Sequence, residues 1–448
     1  MGENLEVLGD KTFQLADRLH TVYIGKNLKT LGDQVFDSCK QLSKIYFNAE
    51  NASNPQVTNS VGNLVTRQSC FLGSNVGNNY DIIIGNAVAR INTYVFSYSG
   101  SDKAADSCRT LDMSSATNCE RIDDFAFQYL MPTQIKFPQS GKLKRIGAYG
   151  LAYNNKITSL DLPGGLESIG SRAFHSYANL TTVKLPASLE LTSGDAFTGC
   201  PNISQYVLAE GSKYKIYKNS VVDMLTNKLM LSTTQTAVDD TIKSFAPFAF
   251  HNKLHLTEFK VPNQVTVIPD SCFENCSNLA SIELHNDIKQ LGSACFNLTG
   301  LSGTIILGDK IENLSSSVFA GTQITRVILP KHIDGKTQDL GYVPFLNANM
   351  LEEVYILNEG QYEDSIRITT LDNKNYNLFQ SNRSLKDIYV GWKIDAPFPA
   401  AAGYTTKWGA PESVNLHFET RLEAQEDGSY KVTSKNINGE LEEKYIHV

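Results

Sequence analysis

Phenylalanine recurs in this chain every 23 residues. Phe13 and Phe36 are one such step apart, Phe174 and Phe197 another, and Phe273, Phe296 and Phe319 make two in succession. Other positions keep the same phase. A Leu/Ile-Gly pair comes shortly before many of these phenylalanines, as in Leu8-Gly9, Leu31-Gly32, Ile146-Gly147, Ile169-Gly170 and Leu291-Gly292. A short apolar segment, often closed by proline, comes after: QIKFP at 134–138, SLDLP at 159–163, TVKLP at 182–186, FKVP at 259–262 and VILP at 327–330. Self-similarity at a fixed short period means that each unit is one supersecondary element. Such an element buries its apolar face only against its neighbours.

The unit LESIGSRAFHSYANLTTVKLPAS, residues 166–188, shows the skeleton in full. Val183 and Leu185 alternate, as a strand with one buried face requires. The stretch around G-x-x-A-F is too short for a long helix and predicts a tight turn with one or two helical turns. Phe is the core plug of each unit, and the small residue beside it leaves room for the next. A period of 23 falls in the leucine-rich repeat range. The expected fold is therefore α/β, a β-rich leucine-rich repeat solenoid: right-handed, with a curved parallel sheet and short helical turns on the convex side.

The repeat runs over residues 1–390 with interruptions. Asn/Ser-rich insertions occupy 48–118, a β-hairpin is expected within 209–237, and 331–350 and 358–375 read as irregular loops. Residues 391–448 hold both tryptophans and an alternating segment with Asn-Gly at 438–439, a hairpin signal. They read as a C-terminal β cap or the start of a following domain. An open end of such a stack exposes core and strand edge, so a cap is needed.

The pattern I-G-x-x-A-F-x-x-C-x-x-L-x-x-I-x-L-P resembles the BspA-like, or Treponema-type, leucine-rich repeat family. Ile169, Gly170, Ala173, Phe174, Leu180, Val183, Leu185 and Pro186 carry the likeness. So do Ile268, Phe273, Cys276, Leu279, Ile282 and Leu284 in the coil at 265–287. The family is common in surface and secreted proteins of gut and oral bacteria and occurs in some parasitic protists. The resemblance implies an extracellular or cell-surface, non-enzymatic recognition or adhesion protein. It carries over no catalytic residues.

The stretch SCFENCSNLASIELHNDIKQLGSACF, 271–296, gathers Cys272, Cys276, His285 and Cys295, residue types that zinc prefers. The repeat explains them otherwise. Cys276 shares its column with Cys39 and Cys200, while Cys272 and Cys295 take the place of the small Ala126, Ala173 and Ala196. Buried cysteine acts there as a small hydrophobe, so no metal and no cofactor is expected. Cys272 and Cys295 lie one period apart, a spacing that permits a disulfide, although free thiols suffice. The sequence contains no G-x-S-x-G, H-E-x-x-H, Walker A or G-x-G-x-x-G motif. The Asp-Asp pairs at 123–124 and 239–240 read as turn formers.

A net charge of −7 with no basic run beyond KLKR at 142–145 argues against nucleic acid. No apolar run reaches transmembrane length. The N-terminus carries neither an export signal nor a myristoylation motif, so any export signal or lipid anchor would lie outside this sequence. Binding is expected on the strand face, where one side chain per unit points outward. That column holds Tyr23, Tyr46, Lys136, Lys184, Ile306, Ile328, Tyr355 and Tyr389. Exposed Tyr and Ile on a rigid surface suit a protein ligand, and Tyr faces would also suit a glycan.

Overall fold

The computed structural model describes residues 2, 4–53, 80–97, 108–330, 344–357, 379, 381–391, 411 and 413–447. Much of the 48–118 insertions and of the loops at 331–350 and 358–375 lies outside the described residues, as do Trp392 and Trp408. The chain divides into two compact units. Unit 1 is Met1–Leu225 with Met230–Thr236, and unit 2 is Thr226–Leu229 with Ala237–Val448.

The protein is β-rich, and its repeat strands pair in parallel, one period apart. In unit 1, Thr21–Ile24, Lys44–Phe47, Tyr80–Ile84, Cys108–Asp112 and Gln134–Lys136 form one sheet in chain order. Ser159–Asp161, Thr182–Leu185 and Gln205–Leu208 form another. A second row of two-residue strands comes from the residues before the repeat glycine or the Asn92 and Asp123 that replace it: Arg90–Ile91, Arg121–Ile122, Arg145–Ile146 and Ser168–Ile169. The register follows the sequence period, with Val22 against Ile45 and Leu160 against Val183. The hairpin expected within 209–237 is narrower, Tyr214–Tyr217 against Ser220–Asp223. Lys218 and Asn219 at its tip both have positive φ, as a two-residue hairpin turn with the right twist needs.

The core is a column of rings. Phe273 stacks on Phe250 at 4.9 Å and on Phe296 at 5.7 Å, and Phe296 stacks on Phe319 at 5.6 Å. Phe96–Phe127 and Phe174–Phe197 continue the motif in unit 1 at 5.2 and 5.4 Å. Cys272 and Cys295 are fully buried free thiols in the alanine column. The other cysteine column has a polar role. The thiols of Cys39, Cys200 and Cys276 donate to the carbonyls of Phe13, Phe174 and Phe250 in the preceding coil, at 3.1, 3.2 and 3.0 Å. Elsewhere Asn154 and Asn382 make the corresponding bonds, to Phe127 O at 3.2 Å and Phe345 O at 2.8 Å. Each removes a buried carbonyl's need for a partner.

The turn segments are not the helical turns that were expected. Among the described residues the only helical element is a 3-10 turn at Asp195–Phe197. Elsewhere two residues four apart adopt the left-handed conformation: Lys11 and Leu15, Gln34 and Ser38, Arg172 and Ser176, Ser271 and Asn275, Ala294 and Leu298. A non-glycine residue held there costs roughly 1–2 kcal/mol. The return is a hydrogen-bond ladder between coils. Ser271, Phe273 and Asn275 donate their N–H groups to the carbonyls of Ser293, Cys295 and Asn297, each at 2.9 Å. A helix would turn those groups inward along its own axis, leaving nothing to join one coil to the next. The repeat glycine follows from the same closeness: a Cβ on Gly170 would sit 2.5 Å from the Ala148 nitrogen.

The C-terminal strands revise the expected binding face. Ser302–Ile306, Gln323–Leu329, Glu353–Ile356 and Asp387–Val390 continue into Asn415–Ala424, which starts parallel to Asp387–Val390. Its register shifts between Phe418 and Arg421. It then pairs antiparallel with Tyr430–Lys435, which pairs with Leu441–Ile446. These strands bring Val432 and Ile446 into one cluster with Ile328, Tyr355, Leu357 and Tyr389. Ile328, Tyr355 and Tyr389 are 5%, 0% and 5% exposed, so the expectation that they present a free surface is corrected. An outward-pointing side chain is exposed only where nothing folds over the sheet.

Charged groups line the edge of this cover. Lys444 Nζ lies 2.8 Å from Glu353 and 4.2 Å from the centre of the Tyr389 ring. His417 stacks on Tyr389 at 4.3 Å and bonds Asp387 at 3.0 Å and Glu442 at 2.7 Å. Burial disfavours the imidazolium, but the two carboxylates outweigh it and leave the pKa raised. A folded pKa above the unfolded one means that His417 stabilises unit 2 fully below its unfolded pKa. That contribution is lost as pH rises through the folded value. Urea midpoints of His417→Gln should accordingly vary less with pH between about 6 and 8 than those of the parent. Parallel pH profiles would exclude the role.

Candidate functional site on the strand face

With Ile328, Tyr355 and Tyr389 covered, the outward column remains open at Tyr23, Tyr46, Lys136, Lys184 and Ile306. Ile306 is 36% exposed and belongs to unit 2. The others stand on the parallel sheets of unit 1. Parallel register places Tyr23 beside Tyr46, and their rings stack at 4.6 Å, 3° from parallel. Tyr23 is 58% exposed and Tyr46 half-buried. Ile83 is next to Tyr46 in register and is also half-buried. Stacked neighbours hold each other's rotamers, so little side-chain entropy is left to lose on contact.

The lysines are not bare charges. Lys136 lies 3.2 Å from Asp112 and Lys184 lies 3.3 Å from Asp161, each pair one register step apart on the sheet. Arg109 binds Asp81 in the same way at the sheet margin, Nε to Oδ1 at 2.9 Å, and holds that carboxyl below its ordinary range. Exposed pairs of this kind contribute about 0–1 kcal/mol and exchange partners readily. The sequence columns carry these pairings, since each partner stands at the same phase one coil away, but the exact register was needed to read them.

Sequence reasoning missed a cleft of about 720 Å3 at the strand exits. Tyr46 and Ile83 form its wall on the face side. Asn48, Asn86, Ser114 and Thr117 supply amides and hydroxyls. Asn48 Oδ1 accepts the Ala87 N–H at 2.9 Å, fixing one side of the opening. A Cβ on Gly85 would overlap Asn48 Oδ1 at 2.2 Å, so a larger residue there would displace the Asn48 amide. Nothing in the repeat columns marks this hollow.

The region around Cys272 carries no comparable site. His285 Nε2 lies 3.0 Å from the carbonyls of Pro262 and Val265, so the ring sits against the preceding coil's turn. Burial raises the pKa of Cys276 to about 12, and those of Cys272 and Cys295 also rise, which keeps the thiols protonated and unreactive. Among the described residues no group of three His, Cys, Asp or Glu is arranged to hold a metal ion. None of the described helices is long and apolar enough to cross a membrane.

Solved structures of similar fold include the pneumococcal vaccine antigen PcpA. The two are 13% identical, with a TM-score of 0.53, over 93% of this chain and 94% of the other. A leucine-rich cell surface protein of Faecalibacterium prausnitzii is 15% identical over 86% and 83% of the two chains, at a TM-score of 0.41. The likeness to PcpA, at this identity, speaks for the fold alone. No curated protein matches the sequence. The BspA type leucine rich repeat region matches in six copies, over residues 1–101, 101–223 and 228–352. The 23-residue columns, the parallel register and this match agree: the chain belongs to the BspA-type leucine-rich repeat family.

Proposed function

We propose that this is a non-enzymatic recognition protein, cell-surface or secreted, that binds a protein ligand through the strand face of unit 1. The observation that carries the reading is the stacked pair of exposed Tyr23 and half-buried Tyr46 beside Ile83 on a parallel sheet. Tyrosine held this way is a characteristic hot-spot residue. Membership of a family common among surface proteins supports the location, and the assignment of the cysteines and Asp-Asp pairs to structural columns supports a non-enzymatic role. We further read residues 1–390 as a right-handed, curved repeat solenoid, since parallel crossovers are almost always right-handed. Of the two readings of residues 391–448, a C-terminal β cap or the start of a following domain, we take the cap, because Asn415–Ala424 pairs with Asp387–Val390 and the strands after it pack on Tyr355 and Tyr389.

A second reading, glycan binding, is favoured by the cleft beside Tyr46. Its lining combines an aromatic ring with amides and hydroxyls, groups that can orient a small ligand. One experiment separates the two. The parent and the Tyr23→Ala/Tyr46→Ala variant are compared on a host-matrix protein panel and on a glycan array. A loss of roughly thirtyfold or more on matrix proteins supports the first reading, as truncating a hot-spot residue costs at least ~2 kcal/mol. The same loss confined to glycans supports the second. Unchanged binding on both would remove the strand face from consideration.

A further inference from the structure

The turn segments of unit 1 carry a second, different surface. In several coils the two left-handed positions hold small or polar residues, as in Gln34 and Ser38 or Ser271 and Asn275, and elsewhere a single large apolar residue stands at one of them, as at Leu15, Phe248 and Leu298. In three successive coils between 90 and 154 every described left-handed position of this pair holds an aromatic ring: Tyr94, Phe125 and Tyr149 at the first position, Tyr129 and Tyr153 at the second. All five have φ between 52° and 62°, where a bulky side chain is least at home. The rings are half-buried rather than sunk in the core. Packing alone therefore does not call for them.

The rings cover one another's faces. Phe125 stacks on Tyr94 at 5.1 Å and on Tyr149 at 5.2 Å, and Tyr129 stacks on Tyr153 at 4.1 Å. The far side of Tyr149 faces Arg172, whose guanidinium carbon is 5.9 Å from the ring centre and which donates to the Tyr149 hydroxyl at 2.7 Å. What remains for a ligand is a row of ring edges, and aromatic edges are electropositive. Four residues upstream of Tyr94, Phe125 and Tyr149 stand Arg90, Arg121 and Arg145, in register on adjacent strands.

The turn segments 90–97, 121–130, 145–154 and 168–177 hold four arginines and two aspartates, in a chain whose net charge is −7. Both carboxylates are already committed. Asp123 is buried between Arg90 and Arg121, and Asp124 accepts the Ala148 N–H at 2.7 Å. Arg145 is exposed and makes no ion pair or side-chain hydrogen bond among the described residues. The surface is a locally electropositive patch of arginine and tyrosine, two of the three residue types enriched at interface hot spots.

We infer that the turn face of coils 90–177 is a second binding site, for a partner protein that presents an acidic polypeptide segment. Carboxylates accept bidentate hydrogen bonds from guanidinium and contact ring edges favourably. Sugar rings would need open aromatic faces, and stacking closes both faces of Phe125 and, with Arg172, both faces of Tyr149. This surface is separate from the strand-face site, and its ligand differs in class.

The test uses the full chain and a fluorescein-labelled oligoglutamate peptide read by anisotropy, with heparin as a competing polyanion. Three variants address the patch. Arg145→Glu removes an unpartnered charge. Tyr149→Gln and Tyr153→Ser install residues that Gln34 and Ser176 already carry at the same phase, so the coils retain an accepted sequence. The peptide should bind with an affinity that falls as salt rises. Arg145→Glu should weaken it about tenfold or more, the effect of losing a charged hydrogen bond. Tyr149→Gln and Tyr153→Ser should weaken it as well, while Lys289→Glu, the same reversal outside the patch, should leave it within about twofold. The inference is overturned if the peptide does not bind, if the three variants bind like the parent, or if heparin binds through these residues and the peptide does not.

Discussion

Replacing Tyr355 with alanine should lower stability by about 3–5 kcal/mol, the range for removing a large buried aromatic side chain. The ring is 0% exposed, stacks on Tyr389 at 4.5 Å, and its hydroxyl donates to Glu353 at 2.9 Å. Val432 and Ile446 of the C-terminal strands close over it. Were Tyr355 an open face residue, as its column suggests, the same change would stay within about 0.5 kcal/mol. Urea unfolding followed by tyrosine fluorescence distinguishes the two outcomes. A double-mutant cycle with Ile446→Ala sharpens the test: contact across the cover predicts non-additive effects, whereas independent sites would add.

Phe273→Ala should cost as much, again about 3–5 kcal/mol. Phe273 is fully buried and touches rings on three sides: Phe250 at 4.9 Å, Phe296 at 5.7 Å and Phe259 edge-on at 4.8 Å. Each coil meets its neighbours through this ring, so the cavity would open at two coil junctions at once. Phe13, in the same column but half-buried, should lose distinctly less. If urea midpoints show Phe273→Ala near the parent, or Phe13→Ala equal to it, the ring column is not the principal core.

How much of this was legible from the residues alone differs from feature to feature. The period, the parallel register and the ring column were readable because they are columns: Phe250, Phe273 and Phe296 must coincide once coils stack. The placement of Cys272 and Cys295 followed for the same reason. The turn conformation was not readable. The left-handed pairs such as Arg172 and Ser176 carry no glycine signal, and the ladder that stabilises them exists only between coils. The hydrogen-bonding purpose of Cys39, Cys200 and Cys276 was hidden likewise, since their acceptors lie 26 residues back.

The binding face divides on the same principle. Side-chain direction along a strand alternates by local geometry, so the outward column from Tyr23 to Tyr389 could be written down from the chain. Exposure is not local. Tyr23 and Tyr355 have equivalent places in equivalent strands, yet one is 58% exposed and the other 0%. The difference comes from strands Asn415–Ala424, Tyr430–Lys435 and Leu441–Ile446 packing against the second of them. Periodicity is a property of neighbouring residues and survives in the sequence. Burial under a distant segment is a property of the folded chain, set by which surfaces the last strands reach.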